Sequence, residues 1–338
     1  MHPAALWKPL ADGRVSCRLC SHFCRIEDGR RGLCGVRQNS GGRLYTLVYD
    51  RVAAANLDPI EKKPLYHFLP GTTVFSFGTM GCNLSCAFCQ NASLSQPPRQ
   101  GKPILGESLT PARLVQAAVD SGAASIAYTY SEPTIFFELM RDTAVLAHQA
   151  GLKNVMVSNG FFSRQCLEAL SGLIDAANID LKAMNAAFYE RICGAKLKPV
   201  LDTLVRVRKA GWWLEVTTLL IPGLNDVDEE LRELAGFLVR ELGPDTPWHI
   251  SRFHPDFAMR DTPPTPLDRL ERAWAIGREA GLRYVYVGNV PGDAHNGTSC
   301  PSCGKIVLSR EGMGLRATNM SGGGCAACGT PIAGRGLP

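Results

Sequence analysis

Three cysteines with the spacing C-x3-C-x2-C are the residues of this chain best suited to chemistry. Cys82, Cys86 and Cys89 lie in the segment GCNLSCAFCQ, residues 81–90. Three thiolates can bind only three irons of a four-iron cluster, whereas an electron-transfer ferredoxin closes its cluster with four cysteines. The motif therefore predicts a cluster whose fourth iron is open to a substrate or cofactor. The alternative is three loop cysteines that are free or bound to zinc.

Two further groups of four cysteines have the spacing of metal ligands. The first group is Cys17, Cys20, Cys24 and Cys34 near the amino end. The second group consists of two pairs near the carboxyl end, Cys300 with Cys303 and Cys325 with Cys328. The C-x2-C pairs of the second group predict a zinc ribbon. Zinc is also expected at the first group, with a second iron–sulfur cluster as the alternative, because thiolates bind both. The two remaining cysteines, Cys166 and Cys193, are interpreted as small buried hydrophobic residues.

Composition restricts the class of protein. The chain has 338 residues, of which 45% are hydrophobic, enough for one large α/β domain with small additions. Its net charge of +5, from 36 basic and 31 acidic residues, is too small an excess to indicate a nucleic acid or a membrane surface as partner. No apolar run is long enough to span a bilayer, and the first residues contain no apolar signal core. We therefore expect a protein of the reducing cytoplasm.

The elements that must position the cysteines follow a repeated βα pattern between about residues 73 and 290. The predicted strands are 74–79, 125–130, 154–158, 177–181, 213–220, 248–253 and 284–288. Helices are predicted at 110–121, where Thr110 can cap, and at 133–150. Because these units are fewer than the eight of a closed barrel, we predict an α/β fold with a partial, laterally open (β/α)6-type TIM barrel. The predicted domains are a cysteine-rich segment with an ordered loop at 1–72, the barrel at 73–295 and a zinc ribbon at 296–338.

Polar side chains follow several of the predicted strands. Glu132 follows the second strand and Asn159 the third, Asp180 and Lys182 lie at the end of the fourth, and Asn289 follows the last. Reactive groups of parallel α/β barrels gather at the carboxyl ends of the strands, so these residues are expected to share one site with the cysteine loop. Each also has a structural interpretation as a helix cap, an ordinary turn or an exposed ion pair.

The cysteine motif, with an aromatic residue before its last cysteine, resembles that of the radical S-adenosylmethionine (SAM) superfamily. The resemblance implies that SAM binds the open iron through its amino and carboxylate groups. One electron then splits a carbon–sulfur bond and releases a 5′-deoxyadenosyl radical that abstracts hydrogen from the substrate. The protein must orient the cofactor and exclude water.

The same resemblance implies roles for the polar residues. Glu132 would bind the methionine amino group of SAM, although the superfamily's Gly-Gly-Glu-Pro motif has Tyr130 and Ser131 in place of its glycines here. The pair Asp180 and Lys182 matches an Asp-x-Lys of pyruvate formate-lyase activating enzymes that contacts the methionine moiety. Asn159 would contact the ribose or carboxylate, and Asn289 would border the adenine.

Longer stretches resemble the radical enzyme of the AmmeMemoRadiSam system, a group related to the pyruvate formate-lyase activating enzymes. These stretches are residues 58–71, 81–91, 128–134 and 286–289. The resemblance implies a [4Fe–4S] cluster, SAM and an association with proteins of the Memo and AMMECR1 families. A reductant such as flavodoxin or ferredoxin is also expected.

Residues near these motifs were also considered for the site. The stretch 58–71 is rich in proline and charge and is predicted to be an ordered loop rather than a helix. Its residues Glu61, Lys62, Lys63 and His67 could lie at the edge of the active site. Two residues after the sixth predicted strand, Arg252 and His254, could face the substrate.

Three classes of function follow from the sequence. The leading class is a radical enzyme that abstracts hydrogen from a macromolecule, either a protein or peptide or an RNA, and activation of a glycyl-radical enzyme is one variant. The second class is an iron–sulfur electron carrier, which would not need the polar residues at the strand ends. The third class is a zinc-ribbon binding protein. The sequence does not decide whether the protein binds a nucleic acid.

Overall fold

The amino-terminal part of the chain forms two small antiparallel sheets in the computed structural model, which describes residues 1–338. Their strands are β1 (His2–Pro3), β2 (Trp7–Pro9), β3 (Val15–Cys17), β4 (Arg25–Ile26), β5 (Arg37–Ser40) and β6 (Arg43–Thr46). One sheet has the order β1-β6-β5 and the other β2-β3-β4. Cys17 ends β3, Cys20 and Cys24 lie between β3 and β4, and Cys34 precedes β5. The second sheet therefore gathers the amino-terminal cysteines.

A nine-stranded sheet is the centre of the molecule. Its strands are β7 (Arg51–Pro59), β8 (Thr73–Thr79), β9 (Glu107–Ser108), β10 (Ser125–Tyr128), β11 (Lys153–Ser158), β12 (Ala176–Asp180), β13 (Trp213–Leu220), β14 (Trp248–Arg252) and β15 (Val285–Gly288). Strand β8 and strands β10 to β15 are parallel and pair in chain order, whereas β7 and β9 extend the β8 edge antiparallel. Because β15 and β9 end the sheet without pairing to each other, the barrel is open, as predicted. The seven predicted strands agree with the parallel ones to within two residues at either end.

Helices connect most of the parallel strands. They are α1 (Ala92–Ser95), α2 (Pro111–Asp120), α3 (Phe137–Gln149), α4 (Arg164–Ala169), α5 (Ala186–Phe188), α6 (Leu197–Lys209), α7 (Asp228–Phe237) and α8 (Leu267–Glu279). The Thr110 side chain accepts a hydrogen bond from the Arg113 amide, as an N-cap does. The second predicted helix is present, but its first turn, Pro133–Phe136, is a 3-10 turn. No helix is both long and apolar enough to cross a lipid bilayer.

The prediction of a loop at residues 58–71 is wrong at its start. Asp58 and Pro59 are the last residues of β7, and Ile60–Lys62 forms a 3-10 turn. Asp58 is a strand residue because β7 pairs with β8 along its length, so that Asp58 lies opposite Val74. Residues before position 73 thus contribute a strand to the central sheet.

The carboxyl-terminal part forms a small ribbon that packs on the barrel. Its strands are β16 (Thr298–Ser299), β17 (Ile306–Glu311), β18 (Gly314–Thr318), β19 (Met320–Ser321) and β20 (Gly324–Cys325). Arg310 of β17 is fully buried, forms an ion pair of 3.7 Å with Glu61 and donates a hydrogen bond of 2.7 Å to the Tyr66 carbonyl. Its guanidinium carbon also lies 4.1 Å from the centre of the Tyr66 ring. Arg310 is therefore one of the residues that connect the ribbon to the segment that follows β7.

Replacing Arg310 by methionine should destabilise the protein by about 3–5 kcal/mol, because Glu61 would be left as an uncompensated buried charge. The free energy of unfolding from urea titration measures the effect. Arg316→Met is the matched control, since Arg316 pairs with Glu311 on the same ribbon but both side chains are mostly exposed, and its cost should stay below about 1 kcal/mol. Equal costs for the two variants would contradict this account of the docking.

Candidate active site

A cleft opens at the carboxyl ends of the parallel strands. Its empty volume is about 970 Å³, including open solvent at the mouth. Its polar and thiol-bearing lining residues are Cys82, Cys86, Cys89, Gln90, Asn91, Ser95, Thr129, Tyr130, Ser131, Glu132, Ser158, Asn159, Asp180, Lys182, Thr217 and Ser251. The structure therefore brings four of the five polar residues singled out in the sequence into one cleft with the three cysteines.

The cysteine loop begins directly after β8 and is shaped by close contacts. Gly81 has a φ of +107°, and a side chain there would lie 2.7 Å from a Val36 methyl group. The amide of Ser85 donates a hydrogen bond to the Cys193 carbonyl, and the amide of Ala87 donates one to the Ile192 carbonyl. These bonds hold the loop against the segment between α5 and α6.

Hydrogen-bond donors surround the loop thiols. The Leu84 amide lies 3.3 Å from the Cys82 sulfur, and the Ser95 hydroxyl lies 3.2 Å from the Cys89 sulfur. Burial raises the pKa of the Cys82 and Cys89 thiols. A hydrogen bond with Cys193 lowers the pKa of Cys86. Donors of this kind stabilise thiolates that ligate a metal.

Glu132 lies at the inner wall of the cleft and is 1% exposed. Its Oε1 accepts hydrogen bonds from the amide and hydroxyl of Thr134 and from the Ser158 hydroxyl, and its Oε2 accepts one from the Asn159 amide. Burial raises the pKa of this carboxyl group. Glu132 caps the turn that begins at Pro133 and also faces the cleft, so its two sequence-based interpretations are compatible.

Tyr130 adopts a backbone conformation that usually favours glycine. Its backbone has a φ of +66°, a left-handed conformation that glycine adopts freely and that costs other residues roughly 1–2 kcal/mol. The Tyr130 hydroxyl donates a hydrogen bond of 2.8 Å to Asp58, and the Lys63 ammonium lies 4.7 Å from the ring centre. These contacts offset the cost, so the backbone keeps a glycine-like turn.

Asn159 connects the end of β11 to the cysteine loop. Its Nδ2 donates a hydrogen bond of 2.8 Å to Asn83 Oδ1 and lies 3.7 Å from the Cys82 sulfur. Its Oδ1 accepts a hydrogen bond from the Phe161 amide. The amide group therefore already positions the loop, and its predicted contact with the ribose or carboxylate stays a prediction.

Asp180 and Lys182 form an ion pair of 2.8 Å at the end of β12. The Lys182 side chain is 11% exposed and that of Asp180 is 33% exposed, so the alternative of an exposed ion pair does not describe it. Burial lowers the pKa of Lys182, but the charges of Asp180, Cys86 and Cys193 together outweigh burial and hold the pKa above its usual value. Lys182 thus remains a cation in the cleft.

Asn289 lies outside this cleft. It lines a second cleft, whose empty volume is about 1240 Å³ including open solvent, together with Lys62, His254 and the hairpin residue Met313. Gln90 and Ser251 line both clefts, so the two adjoin. A side chain at position 289 therefore reaches the first cleft only from its border.

Three residues that the sequence placed near the substrate have structural partners instead. His67 is fully buried and its ring nitrogens contact the Tyr286 hydroxyl and the Ala333 carbonyl. Lys63 is buried in an ion pair with Asp58. The Arg252 side chain donates a hydrogen bond to the Thr265 carbonyl and lines neither cleft. Their polarity was visible in the sequence, but the partners that bury them are distant in the chain.

Sequence reasoning missed Ser251 as a residue of the site. Ser251, next to the last residue of β14, lines both clefts, and its position at a strand end is the signal that could have found it. Cys193 is fully buried, as expected, but it also contacts the cysteine loop through its carbonyl and lies beside Cys86. No sequence pattern joins residues so far apart in the chain.

The carboxyl-terminal cysteines come together as a compact group. All four sulfurs of Cys300, Cys303, Cys325 and Cys328 lie within 4.8 Å of one another, and the pairs Cys300–Cys328 and Cys303–Cys325 are 3.6 and 3.7 Å apart. A single tetrahedral ion bound by four thiolates requires such close sulfurs. No other set of three or more histidine, cysteine or acidic residues in the chain has ligand atoms this close.

The cleft suits the cofactors that its cysteine motif predicts. Its three thiols are not close enough together to surround a single ion, and no fourth cysteine lines the cleft. The Ser131 hydroxyl at the cleft is buried without a hydrogen-bond partner, and the charges of Asp180 and Lys182 complement an amino acid. The residues present thus fit an iron–sulfur cluster with an open iron and a ligand that carries amino and carboxylate groups.

Comparison with known proteins agrees with this chemistry. Residues 77–238, which include the three cysteines, Glu132, Asn159, Asp180 and Lys182, match the family model described as Radical SAM superfamily. An uncharacterized protein of Methanocaldococcus jannaschii is 43% identical over 320 residues, which are 95% of each chain. The benzylsuccinate synthase activating enzyme of Thauera aromatica is 22% identical over 163 residues, 46% of this chain and 49% of that protein.

A solved structure has a similar fold. The structure of Streptococcus suis SuiB bound to S-adenosylmethionine has a TM-score of 0.51 and 14% identity, and the match covers 68% of this chain and 53% of that one. The matched segments therefore span about half the length of both SuiB and the activating enzyme. At this identity the likeness shows the fold alone. The members of the radical SAM superfamily are enzymes, and membership implies a [4Fe–4S] cluster and SAM. Its open parallel barrel, its cysteine loop and these matches show that the chain belongs to this superfamily.

Proposed function

We propose that this enzyme removes a hydrogen atom from a macromolecular substrate, either a protein or peptide or an RNA. The observation that carries the proposal is the joint placement of three cysteines, Glu132 and the Asp180–Lys182 pair in one cleft that continues into a second, open one. When bound, the cluster and SAM supply a 5′-deoxyadenosyl radical that abstracts the hydrogen. The residues of the chain bind and orient these cofactors and the substrate.

The cysteine loop would hold the cluster. Cys82, Cys86 and Cys89 each offer one thiolate, and the nearby N–H and O–H donors lower the cost of burying their negative charge. The Asn159 amide prevents the loop from moving away from β11. The cleft supplies no fourth thiolate, so one iron of the cluster would have no protein ligand.

The opposite wall would hold the methionine end of SAM. Glu132 Oε2 accepts only one hydrogen bond and retains a lone pair for an ammonium group. The unpartnered Ser131 hydroxyl can bond either an amino or a carboxylate group. Lys182 offers a cation to the carboxylate, and Asp180 offers an anion to the amino group. We assign the adenine side to Asn289, at the border with the second cleft.

The second cleft supports a large substrate. It is open to solvent, adjoins the first cleft at Gln90 and Ser251, and is bordered by the ribbon hairpin at Gly312 and Met313. The side chains of Lys62 and His254 line it. A polypeptide or an RNA loop could enter from the open side of the barrel and reach the first cleft.

We further propose that the protein is the radical enzyme of an AmmeMemoRadiSam system, with Memo-family and AMMECR1-family proteins as partners, in the cytoplasm. A low-potential donor such as flavodoxin or ferredoxin would supply electrons, and zinc would occupy the compact carboxyl-terminal cysteines. Activation of a glycyl-radical enzyme is the second candidate, favoured by the likeness to the Thauera aromatica activating enzyme.

Deuterium transfer tests the proposed reaction. The reduced enzyme is incubated with SAM and with either protein or RNA from cells grown in heavy water, and 5′-deoxyadenosine is analysed by mass spectrometry. We expect deuterium in 5′-deoxyadenosine with one of the two fractions. A purified glycyl-radical enzyme tests the second candidate in the same way. If 5′-deoxyadenosine forms but never gains deuterium from either fraction, a macromolecular substrate is excluded.

The Cys86→Ala variant should form no detectable 5′-deoxyadenosine, because two thiolates cannot hold the cluster in the loop. Cys166→Ala is the control, since Cys166 is buried away from the cleft, and it should retain activity. Continued SAM cleavage by Cys86→Ala would show that the cluster assignment is wrong.

The Glu132→Gln variant should retain the visible absorbance of the cluster but bind SAM roughly 10- to 100-fold more weakly, the loss expected for one hydrogen bond to a charged group. Equilibrium dialysis with labelled SAM measures the affinity. The Thr134→Val variant distinguishes SAM binding by Glu132 from its capping of the turn. It removes one hydrogen-bond donor to Glu132 Oε1 and leaves the charge of the Glu132 carboxylate in place. Equal weakening in both variants would indicate that Glu132 acts only by holding the turn.

A further inference from the structure

We propose that the four amino-terminal cysteines bind a second iron–sulfur cluster rather than zinc. These residues are Cys17, Cys20, Cys24 and Cys34, which lie around the second small sheet. The sequence left both metals open and favoured zinc. The spacing of the sulfurs, the cavity between them and the unpartnered donors around it favour the cluster.

The spacing of the sulfurs differs between the two four-cysteine groups. Sulfurs around one tetrahedral zinc ion are about 3.8 Å apart, as follows from Zn–S bonds of about 2.3 Å. The carboxyl-terminal group has this spacing, with pairs at 3.6 and 3.7 Å. Among the amino-terminal cysteines, no three sulfurs lie within 4.8 Å of one another. The catalytic cysteines share this wider spacing, which is expected where each thiolate binds a different iron.

A cavity separates the amino-terminal cysteines. All four line one space whose empty volume is about 320 Å³ including open solvent, and the apolar side chains of Leu19, Ile26 and Ile135 line it as well. Four thiolates that surround a single zinc ion leave no such space between them. An iron–sulfur cluster fills a space between its ligands with iron and sulfide, and an apolar shell excludes water from it.

Two buried donors on the cavity wall have no partner. Arg37 is 1% exposed and uses one nitrogen to bond Glu138 and the Ala5 carbonyl, but its Nε and Nη1 are unpartnered. Asn83 is also 1% exposed, and its Nδ2 is unpartnered. Both residues line the cavity. Buried N–H groups normally have acceptors, and the thiolates and sulfides of an anionic cluster would supply them.

The cavity and the catalytic loop share Asn83. Asn83 lines the cavity, follows Cys82 directly and accepts a hydrogen bond from Asn159 of the active site. Its carbonyl contacts His22, which also lines the cavity. The two predicted clusters would therefore be neighbours.

This position suits the transfer of single electrons. The second cluster would take one electron from a reduced one-electron donor of the flavodoxin or ferredoxin class and pass one electron to the catalytic cluster, with no bond made or broken between them. The donor is oxidised by one electron, and the second cluster returns to its initial state. This electron-transfer role rests on the proposed function, but the identity of the metal does not.

The test is metal analysis of the full-length variant Cys82→Ala, Cys86→Ala, Cys89→Ala after anaerobic reconstitution with iron and sulfide. We expect about four irons and four sulfides per chain in this variant and about eight of each in the unmodified protein, with about one zinc in both. After reduction with dithionite, the variant should show the electron paramagnetic resonance signal of a single reduced cluster. About two zincs and no iron in the variant would overturn the proposal.

Two further variants assign the metals. Adding Cys20→Ala and Cys34→Ala to the triple variant should remove its remaining iron, whereas Cys303→Ser with Cys328→Ser should remove zinc and leave iron unchanged. If the quintuple variant fails to fold, the triple variant still decides between iron and zinc. Because these counts require no SAM cleavage, an unmodified protein that holds about eight irons but forms no 5′-deoxyadenosine would contradict the proposed function and not this inference.

Discussion

The hydrogen bond from Asn159 to Asn83 is the contact on which the arrangement of the site depends. It connects the end of β11 to the residue after Cys82, while the Asn159 backbone amide bonds Glu132. The cysteine loop, the third strand of the barrel and the acidic residue after β10 thus form one hydrogen-bonded unit. Such a network is stable because every bond in it is buried, where an unpaired amide or carboxylate would be costly. The loop consequently has one position relative to the opposite wall of the cleft.

Buried charges connect this unit to the rest of the molecule. Glu215 of β13 accepts hydrogen bonds from the Tyr66 and His67 amides, from Trp213 and from His249, so it anchors the segment after β7 inside the barrel. Burial raises the pKa of this carboxyl group, but the contacts with His249, His67 and Trp213 together outweigh burial and lower it. Arg310 then attaches the ribbon to the same segment. The border of the second cleft therefore depends on buried polar contacts outside the cysteine loop.

The turn before Glu132 shows how a motif can change while its geometry remains. The superfamily's glycine at this position permits a positive φ, and Tyr130 adopts a φ of +66° with no such freedom. Its hydroxyl group bonds Asp58, which the extra strand β7 places beside the turn. The departure from the motif and the pairing of β7 with β8 are thus related by one contact. The proposed role of Glu132 therefore does not require a glycine at position 130.

The sequence by itself determined the features that depend on local spacing. The cysteine loop, the seven parallel strands, the cap at Thr110 and the carboxyl-terminal cysteine pairs follow from residues close together in the chain, because hydrophobic alternation and ligand spacing act over a few residues. Only the tertiary structure decided that Asn289 borders a second cleft, that His67 and Lys63 are buried in structural contacts, and that β7 joins the central sheet. It also distinguished the compact carboxyl-terminal sulfurs from the widely spaced amino-terminal ones. These features depend on partners that lie tens to hundreds of residues away, and the distance between two side chains in space cannot be read from their separation in sequence once the chain folds.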